Sequence, residues 1–155
     1  RINFMNVLCN NKKANFKYSF IKKLEAGLVL DGWEVKSLKN GNGQLSESYI
    51  TIDKGEVYLK NSHIKPISTK DTVSIQNPTQ SRKLLLNRRE ISMLQGQINQ
   101  KGSTIVPLKI YSKNGLIKIE IALAKGKKLH DKREEDKERD WKRQKSRLNK
   151  SINSS

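Results

Sequence analysis

The chemistry most evident in this sequence belongs to its basic side chains. Among 155 residues there are 32 Lys and Arg against 15 Asp and Glu, which gives a formal net charge of +17. The densest short cluster is Lys125, Lys127 and Lys128 around Gly126, where glycine lets the backbone approach a phosphate closely. So large a charge indicates a polyanionic partner, with nucleic acid favoured over an acidic membrane surface.

The positions of the arginines also indicate a nucleic-acid partner. Seven of the eight arginines lie at or after Arg82, and arginine grips phosphate bidentately and stacks on bases. This pattern favours an RNA surface near the helix expected after Asn87 and along the C-terminal segment. Chance placement of the arginines is the alternative, and a solvated charge run is the alternative for the lysine cluster.

The side chains needed for other chemistries are missing or scattered. One cysteine, Cys9, excludes an internal disulfide, and with only His63 and His130 beside it a zinc finger is not expected. Glycine-rich phosphate loops are absent, and Asp131 has no partner carboxylate for acid–base work. We therefore predict no catalytic residue, metal or cofactor. A nuclease is the enzymatic alternative, and a metal-dependent RNA cleavage assay tests it.

The chain contains no apolar run long enough to span a membrane and no secretory signal. We therefore expect a soluble, cytoplasmic monomer with no membrane partner. The sequence starts at Arg1, and Met5 is the candidate natural start. We assign the first ten residues no structural role.

Composition divides the chain near Gly126 into a domain at 11–125 and a tail at 126–155. Residues 125–155 hold 12 basic and 6 acidic side chains, and apolar side chains after Gly126 are limited to Leu129, Trp141, Leu148 and Ile152. So little apolar surface cannot offset the ordering entropy of the segment.

Helical spacing is nevertheless present in the tail. Glu135 precedes Arg139 by four residues, and Trp141, Leu148 and Ile152 form one narrow stripe. We interpret the tail as disordered when free and helical on a partner. An autonomous charged helix and plain solvated disorder are the alternatives.

The elements that must position these side chains are mostly strands. Phe16, Tyr18 and Phe20 alternate with polar residues, and a hairpin is predicted around Asp53-Lys54-Gly55. A longer hairpin turns at Asn114-Gly115, and Pro107 makes its first strand either an edge strand or a bulged one. We count about six strands, mostly antiparallel.

Two helices interrupt the strands. Asn87 and Glu90 are residue types that favour the N-cap and N3 positions, which predicts a helix that begins after Asn87 and ends before Gly102. A shorter helix is expected from Trp33 to Lys39. Short strands, few helices and a basic surface favour a mainly β fold, a small antiparallel barrel of the oligonucleotide-binding type with two or three helices. A basic ribosomal or initiation-factor-like barrel that binds only rRNA has the same features and is the alternative function.

Ordered motifs along nearly the whole chain resemble the SsrA-binding protein family, also called small protein B. The motifs are Asn11-Lys12-Lys13-Ala14, Glu25-Ala26-Gly27, Gly32 to Leu38 (GWEVKSL), Arg82 to Leu86 (RKLLL), Val106-Pro107-Leu108 and Ala124 to Arg133 (AKGKKLHDKR). The resemblance implies a Greek-key barrel and a non-enzymatic partner of transfer-messenger RNA in bacterial ribosome rescue. It also implies that elongation factor Tu with GTP carries the complex to stalled ribosomes.

The resemblance further implies a division of labour between domain and tail. The domain grips the tRNA-like part of transfer-messenger RNA, and the tail contacts small-subunit rRNA at the decoding centre and in the empty messenger channel. The implied RNA-binding residues are Asn11, Lys12, Lys13, Glu25, Lys36, Arg82, Lys83, Leu85, Lys125, Gly126, Lys127 and Lys128. The implied ribosome contacts are His130, Asp131, Lys132, Arg133, Arg139, Trp141, Arg143, Arg147 and Leu148.

Several of these residues have ordinary structural interpretations. Glu25 fits a strand end, Leu85 fits a core position, Asn11 fits a cap before Lys12, and His130 fits a surface residue without a role. The chain also departs from the family pattern at Asn77 and Gln80, where the family usually has Asp and Arg. The departure removes one charge of each sign, which puts any role carried over from the family to Gln80 in doubt.

Overall fold

Strands dominate the fold. The computed structural model describes residues 5–68, 75–99 and 102–127, which hold nine strands and three helices. The strands are β1 (Met5–Asn10), β2 (Tyr18–Leu28), β3 (Gly43–Gln44), β4 (Tyr49–Asp53), β5 (Glu56–Lys60), β6 (His63–Ile64), β7 (Arg82–Leu85), β8 (Ser103–Lys113) and β9 (Leu116–Gly126). The helices are α1 (Ala14–Lys17), α2 (Gly32–Lys39) and α3 (Arg88–Ile98).

Seven strands form one antiparallel sheet in the order β1-β8-β9-β2-β7-β5-β4, and β3 pairs with β6 separately. The sheet curls, since β4 at one edge also contacts β8 near the other. The predicted fold class is confirmed: a mainly β, antiparallel fold of the small oligonucleotide-binding barrel type. The described residues hold nine strands rather than about six, and the strands that were not recognised include β1, β7 and the short pair β3 and β6.

The chain separates between Lys125 and Gly126 into two units. All three helices lie in the first unit, and so does every strand except for the last residue of β9. The roles given to residues 11–125 and 126–155, an RNA-binding domain and a tail, stay predictions.

The N-terminal expectation was wrong. Met5–Asn10 is a strand, and its pairing with β8 brings the buried Cys9 opposite Ile110. The segment lacks a clear alternating pattern, so its strand conformation comes from the partner strand rather than from local sequence. Phe16 also differs from expectation, since it lies in the short helix α1 and β2 begins only at Tyr18.

Both predicted hairpins are confirmed by their register and turns. Tyr49–Asp53 pairs with Glu56–Lys60 through Lys54 and Gly55, and β8 pairs with β9 through Asn114 and Gly115. The central residues of both turns have positive φ, 50° and 77° in the first and 52° and 80° in the second. These values are typical of the type I′ turns that match the twist of a hairpin.

Pro107 marks a bulge and not an edge. Strand β8 has β1 on one side and β9 on the other, so it is interior to the sheet. Its register with β9 shifts between Pro107 and Lys109, where a residue without an N–H can be accommodated. The shift also changes which residues of β8 face each side of the sheet, because side chains alternate along a strand.

Two hydrophobic clusters lie on opposite sides of the β8–β9 hairpin. Ile105, Ile110 and Ile119 belong to the main core inside the curled sheet, with Leu38 of α2 and Leu94 of α3. The outer side carries a smaller cluster of Val106, Leu108, Ala122, Ala124 and Ala14, against which Tyr18 and Phe20 pack. The outer side of the hairpin is therefore partly covered at one end by α1 and the start of β2.

Helices α2 and α3 begin with capping boxes. The predicted cap of α3 is confirmed: the Glu90 N–H donates to Asn87 Oδ1 at 2.8 Å and the Asn87 N–H donates to Glu90 Oε1 at 3.1 Å. Helix α2 has a similar start, since the Asp31 N–H donates to Glu34 Oε1 at 2.7 Å. Among the described residues, no helix is long and apolar enough to cross a membrane.

Candidate nucleic-acid interface

Glu25 projects from the outer side of the sheet, because its neighbour Ala26 and then Leu28 point into the core. Two donors from β8 meet its Oε2 atom: the Tyr111 hydroxyl, and the Lys113 Nζ at 3.4 Å. The Tyr111 hydrogen bond, followed by the hydrogen bond and charge of Lys113 and by the charge of Lys118, lowers the pKa of Glu25. The carboxylate is thus held ionised at neutral pH, although its side chain is 41% exposed.

Tyr111 reaches Glu25 because of the bulge at Pro107. Val106 and Leu108, which precede the bulge, face outward. After the bulge Ile110 faces the core, and the outward-facing residues are Lys109, Tyr111 and Lys113. Tyr111 is only 2% exposed, and burial together with the Glu25 hydrogen bond raises its pKa. Its hydroxyl therefore stays protonated and keeps donating.

Leu85 lies on the neighbouring strand with an exposed apolar side chain. It pairs with Gly27, two residues after Glu25, and 56% of it is open to solvent. A Cβ on Gly27 would lie 3.2 Å from the Leu85 Cβ, so the absence of a side chain at residue 27 makes room for Leu85. We call Glu25, Leu85, Tyr111, Lys113 and Lys118 the Glu25 face.

Lys83 lies on the same side of β7 as Leu85 and at the border of a groove. Its Nζ is 3.0 Å from Glu56 Oε1, and the Tyr58 hydroxyl donates to Glu56 Oε2 at 2.8 Å. The groove has a volume of about 550 Å³ and runs between the β4–β5 turn, β7 and the first turns of α3, with Arg88 among its lining residues. Lysine, arginine and leucine side chains therefore adjoin one another at this end of the sheet.

Asn11 is tied to the bulge rather than acting as a cap. Its Nδ2 donates to the Pro107 carbonyl at 2.9 Å, and its backbone N–H donates to the Leu108 carbonyl at 2.8 Å. A cavity of about 260 Å³ beside it is lined by Lys12, Lys23 and Lys109 among others. Lys13 is exposed and lies 3.5 Å from Glu47 Oε1. The Asn11 region thus adjoins the outer side of β8, the strand that carries Tyr111.

In the part of the chain that the structure describes, no group of three or more His, Cys, Asp or Glu side chains is placed to hold a metal ion. What the outer side of the sheet offers is binding chemistry: lysines for phosphates, an ionised acceptor at Glu25 and an exposed apolar side chain at Leu85.

Comparison with known proteins assigns the family. A sequence model of the family described as "SmpB protein" matches residues 8–151. The chain belongs to the SmpB family. An SsrA-binding protein from Burkholderia vietnamiensis is 49% identical over 141 residues, which cover 91% of this chain and 95% of the relative. Another, from Burkholderia thailandensis, is 49% identical over 145 residues, or 94% of this chain and 98% of the relative.

A solved structure is also similar to this member of the SmpB family. It is described as "tmRNA-SmpB: a journey to the center of the bacterial ribosome" and matches with a TM-score of 0.63 at 40% sequence identity. The match covers 77% of this chain and 84% of the other. The family resemblance that the motifs indicated is therefore confirmed.

Arg82 requires a correction among the RNA-binding residues that the SmpB resemblance implied. It is 2% exposed, and its guanidinium donates to Glu34 Oε2, to the carbonyl and hydroxyl of Ser62 at 2.6 and 2.7 Å, and to the Pro78 carbonyl at 3.0 Å. Residue 82 faces inward for the same reason as Leu84, because alternate residues of β7 point into the core. Arg82 is therefore buried with Glu34, and its guanidinium is not exposed on the described surface.

The remaining predicted residues occupy several places in this SmpB-family fold. Glu25, Lys83 and Leu85 lie together on β2 and β7, and Asn11, Lys12 and Lys13 lie between β1 and α1. Lys36 is exposed on α2, and Lys125 and Gly126 are exposed at the end of β9, with Lys127 partly buried after them. Outside the described residues lie Lys128, His130, Asp131, Lys132, Arg133, Arg139, Trp141, Arg143, Arg147 and Leu148.

Sequence reasoning missed the β8–β9 side of the Glu25 face. Counting back from the Asn114-Gly115 turn gives the pairs Lys113–Leu116 and Tyr111–Lys118. The turn alone predicts this register, but the side of the sheet that Tyr111 and Lys118 face depends on the bulge at Pro107. At Gln80, where the chain departs from the family pattern, the side-chain Nε2 donates to Asp31 Oδ2 at 3.0 Å, so an uncharged donor contacts this carboxylate.

Proposed function

We propose that the protein binds the tRNA-like domain of transfer-messenger RNA through the Glu25 face and delivers it to stalled ribosomes. Membership of the SmpB family over residues 8–151 supports the proposal, as do relatives named SsrA-binding protein. The observation that carries it is the Glu25 face itself. A carboxylate that accepts from Tyr111 and Lys113, and an exposed leucine on the neighbouring strand, lie on the outer side of the sheet in a chain of charge +17.

This combination suits a structured RNA better than a bulk polyanion. Lysines attract any phosphate backbone without regard to sequence. A carboxylate repels phosphate, and it adds binding free energy only where a base or sugar group donates a hydrogen bond to it. A leucine adds binding free energy only where a base or ribose covers it. The carboxylate and the leucine do not distinguish transfer-messenger RNA from rRNA, since both are structured RNAs with base and sugar donors. Membership of the SmpB family is what favours transfer-messenger RNA.

The C-terminal segment has a separate role in the proposal. Residues 126–155, with His130, Arg133 and Trp141 among them, enter the vacant messenger channel of the small subunit, and elongation factor Tu with GTP brings the complex there. The support is compositional: the segment is basic and carries four apolar side chains, so it threads an RNA-walled channel without needing a core. On this proposal the protein is a cytoplasmic monomer that acts by binding and catalyses no reaction.

A titration with one matched control tests the domain. Leu85→Asp is expected to weaken binding to a transcript of the tRNA-like domain, because the new charge lies among phosphates and the apolar contact is lost. Ile75→Asp makes the same change at a side chain that is 95% exposed, and it is expected to bind like wild type. Unchanged affinity in a folded Leu85→Asp variant, or equal wild-type affinity for this transcript and bulk tRNA, contradicts the proposal.

Deleting residues 131–155 tests the tail. Binding to the tRNA-like transcript is expected to stay within a few-fold of wild type, because the domain contacts remain. Tagging of nascent chains on ribosomes stalled at a truncated message is expected to collapse. Loss of transcript binding in the truncated protein, or full tagging by it, contradicts the division of labour.

A further inference from the structure

The hydrogen bonds at Glu25 are unevenly distributed between its two oxygens. The Tyr111 hydroxyl and the Lys113 ammonium both donate to Oε2. Within residues 5–68, 75–99 and 102–127, no hydrogen bond to Oε1 is formed. A carboxylate oxygen can accept about two hydrogen bonds, so among the described residues Oε1 has unused capacity in a side chain that is 41% exposed.

Tyr111 is the rigid member of this group. It is 2% exposed and follows Ile110, a core residue that is 1% exposed, whereas Lys113 has a long side chain that is 36% exposed. A buried phenol has few rotamers to choose from, so its hydroxyl presents a fixed donor to Glu25. Lysine adds charge but little orientation, because its ammonium sits on a flexible stem.

We propose that Tyr111 is a positioning residue for RNA recognition: it fixes Glu25 so that Oε1 accepts a hydrogen bond from the N–H edge of an unpaired base. The inference rests on the proposed function and names the chemistry of one contact in it. Base amino and imino groups donate to a carboxylate, and phosphate oxygens cannot. The Tyr111–Glu25 pair then supplies discrimination between RNAs, while the surrounding lysines supply affinity for all of them.

The test compares two transcripts, the tRNA-like domain of transfer-messenger RNA and an ordinary tRNA, at several salt concentrations. Tyr111→Phe and Glu25→Ala are each expected to reduce the preference for the first transcript by about tenfold. The slope of log K against log salt is expected to stay at its wild-type value, because no phosphate contact is removed. The double variant is expected to be no worse than Glu25→Ala alone, because both changes remove one contact.

Tyr58→Phe is the matched control. It removes the same hydroxyl from another Tyr–Glu pair, since Tyr58 donates to Glu56 on β5. That carboxylate already has Lys83 at 3.0 Å from its other oxygen, so Oε1 and Oε2 of Glu56 are both engaged. The preference between the two transcripts is expected to stay at the wild-type value. Thermal unfolding of every variant shows which ones keep the fold.

A second readout needs no RNA. NMR titration of the Glu25 carboxyl in Tyr111→Phe is expected to show a higher pKa than in wild type, because the hydrogen bond that most lowers it is gone. Lys113 on β8 and Lys118 on β9 remain beside the carboxyl and limit the rise in its pKa. An unchanged pKa shows that the hydroxyl does not hold the carboxylate and overturns the inference.

The outcomes separate the inference from the proposed function. If Glu25→Ala loses preference and a folded Tyr111→Phe does not, Tyr111 is no positioning residue and the function stands. If neither variant changes a preference that wild type shows, Glu25 reads no base and the inference fails. If wild type itself shows no preference for the tRNA-like transcript, the proposed function fails with it.

Discussion

Arg82→Ala is expected to destabilise the fold by about 3–5 kcal/mol, because it leaves a carboxylate buried without its counter-ion. Arg82 and Glu34 are 2% and 1% exposed, and the guanidinium also donates to Ser62 and to the Pro78 carbonyl. Within the residues that the structure describes, Glu34 then keeps only the hydrogen bond from the Asp31 N–H at 2.7 Å. The Ser62 and Pro78 carbonyls lose their charged donor as well, which places the cost in the upper part of the range.

Urea denaturation measures this cost. With a slope of about 1–3 kcal/mol per molar urea, typical of small proteins, the midpoint is expected to fall by more than about 1 M. Arg88→Ala is the control, since Arg88 is exposed at the start of α3 and its removal is expected to change stability by about 0.5 kcal/mol or less. Glu34→Gln removes the charge of Glu34 but keeps the shape of its side chain. The urea midpoint of this variant can be measured even if Arg82→Ala does not fold.

A double substitution distinguishes the ion pair from simple loss of volume. Arg82→Met with Glu34→Leu removes both charges together, and it is expected to be more stable than either single variant because no unpaired charge stays buried. An Arg82→Ala midpoint equal to that of wild type refutes the structural role. So does a folded Arg82 variant that lowers the salt slope of RNA binding by about one unit, because that result places Arg82 on a phosphate.

Two more predictions concern the lysine cluster and the cysteine. Replacing Lys125, Lys127 and Lys128 by Ala should flatten log K against log salt by roughly one unit per lost phosphate contact, and an unchanged slope in filter binding shows that they are solvated. Burial raises the pKa of Cys9 to about 11, against a smaller lowering by the Leu45 backbone, so the thiol stays protonated at neutral pH. Iodoacetamide should therefore label Cys9 slowly in native protein and quickly in urea, and equal rates by mass spectrometry contradict this.

The parts of the fold that could be predicted were those encoded by short-range chemistry. The Asn114-Gly115 turn and the Asn87–Glu90 cap need only residues adjacent in sequence, and both lie where expected. Strand β1 could not be found this way, because its conformation depends on pairing with β8 about 100 residues later. The α2 cap was missed although Asp31 and Glu34 have the right spacing, since Gly32 and Trp33 between them are not typical of a helix start.

In the candidate site, too, some features follow from nearby residues and others depend on residues distant in sequence. Leu85 was expected to be either a core residue or an RNA contact, and the strand alternation that exposes it also buries Arg82 three residues earlier. An arginine in a basic protein is ordinarily interpreted as a surface charge. Its burial here depends on Glu34, which is 48 residues away in sequence and faces it from another element. No local pattern reveals such a partner.

The bulge at Pro107 connects the fold to the proposed specificity. Without a register shift, residues 106, 108 and 110 would share one side of β8, and Tyr111 would point into the core instead of toward Glu25. With the shift, Ile110 fills the core and Tyr111, Lys109 and Lys113 reach the outer side. Asn11 contacts the bulge carbonyls directly, so the Asn11 and Glu25 regions depend on one backbone irregularity. On the proposed mode of recognition, a change at Asn11 alters RNA binding through the position of Tyr111, even where Asn11 itself touches no RNA.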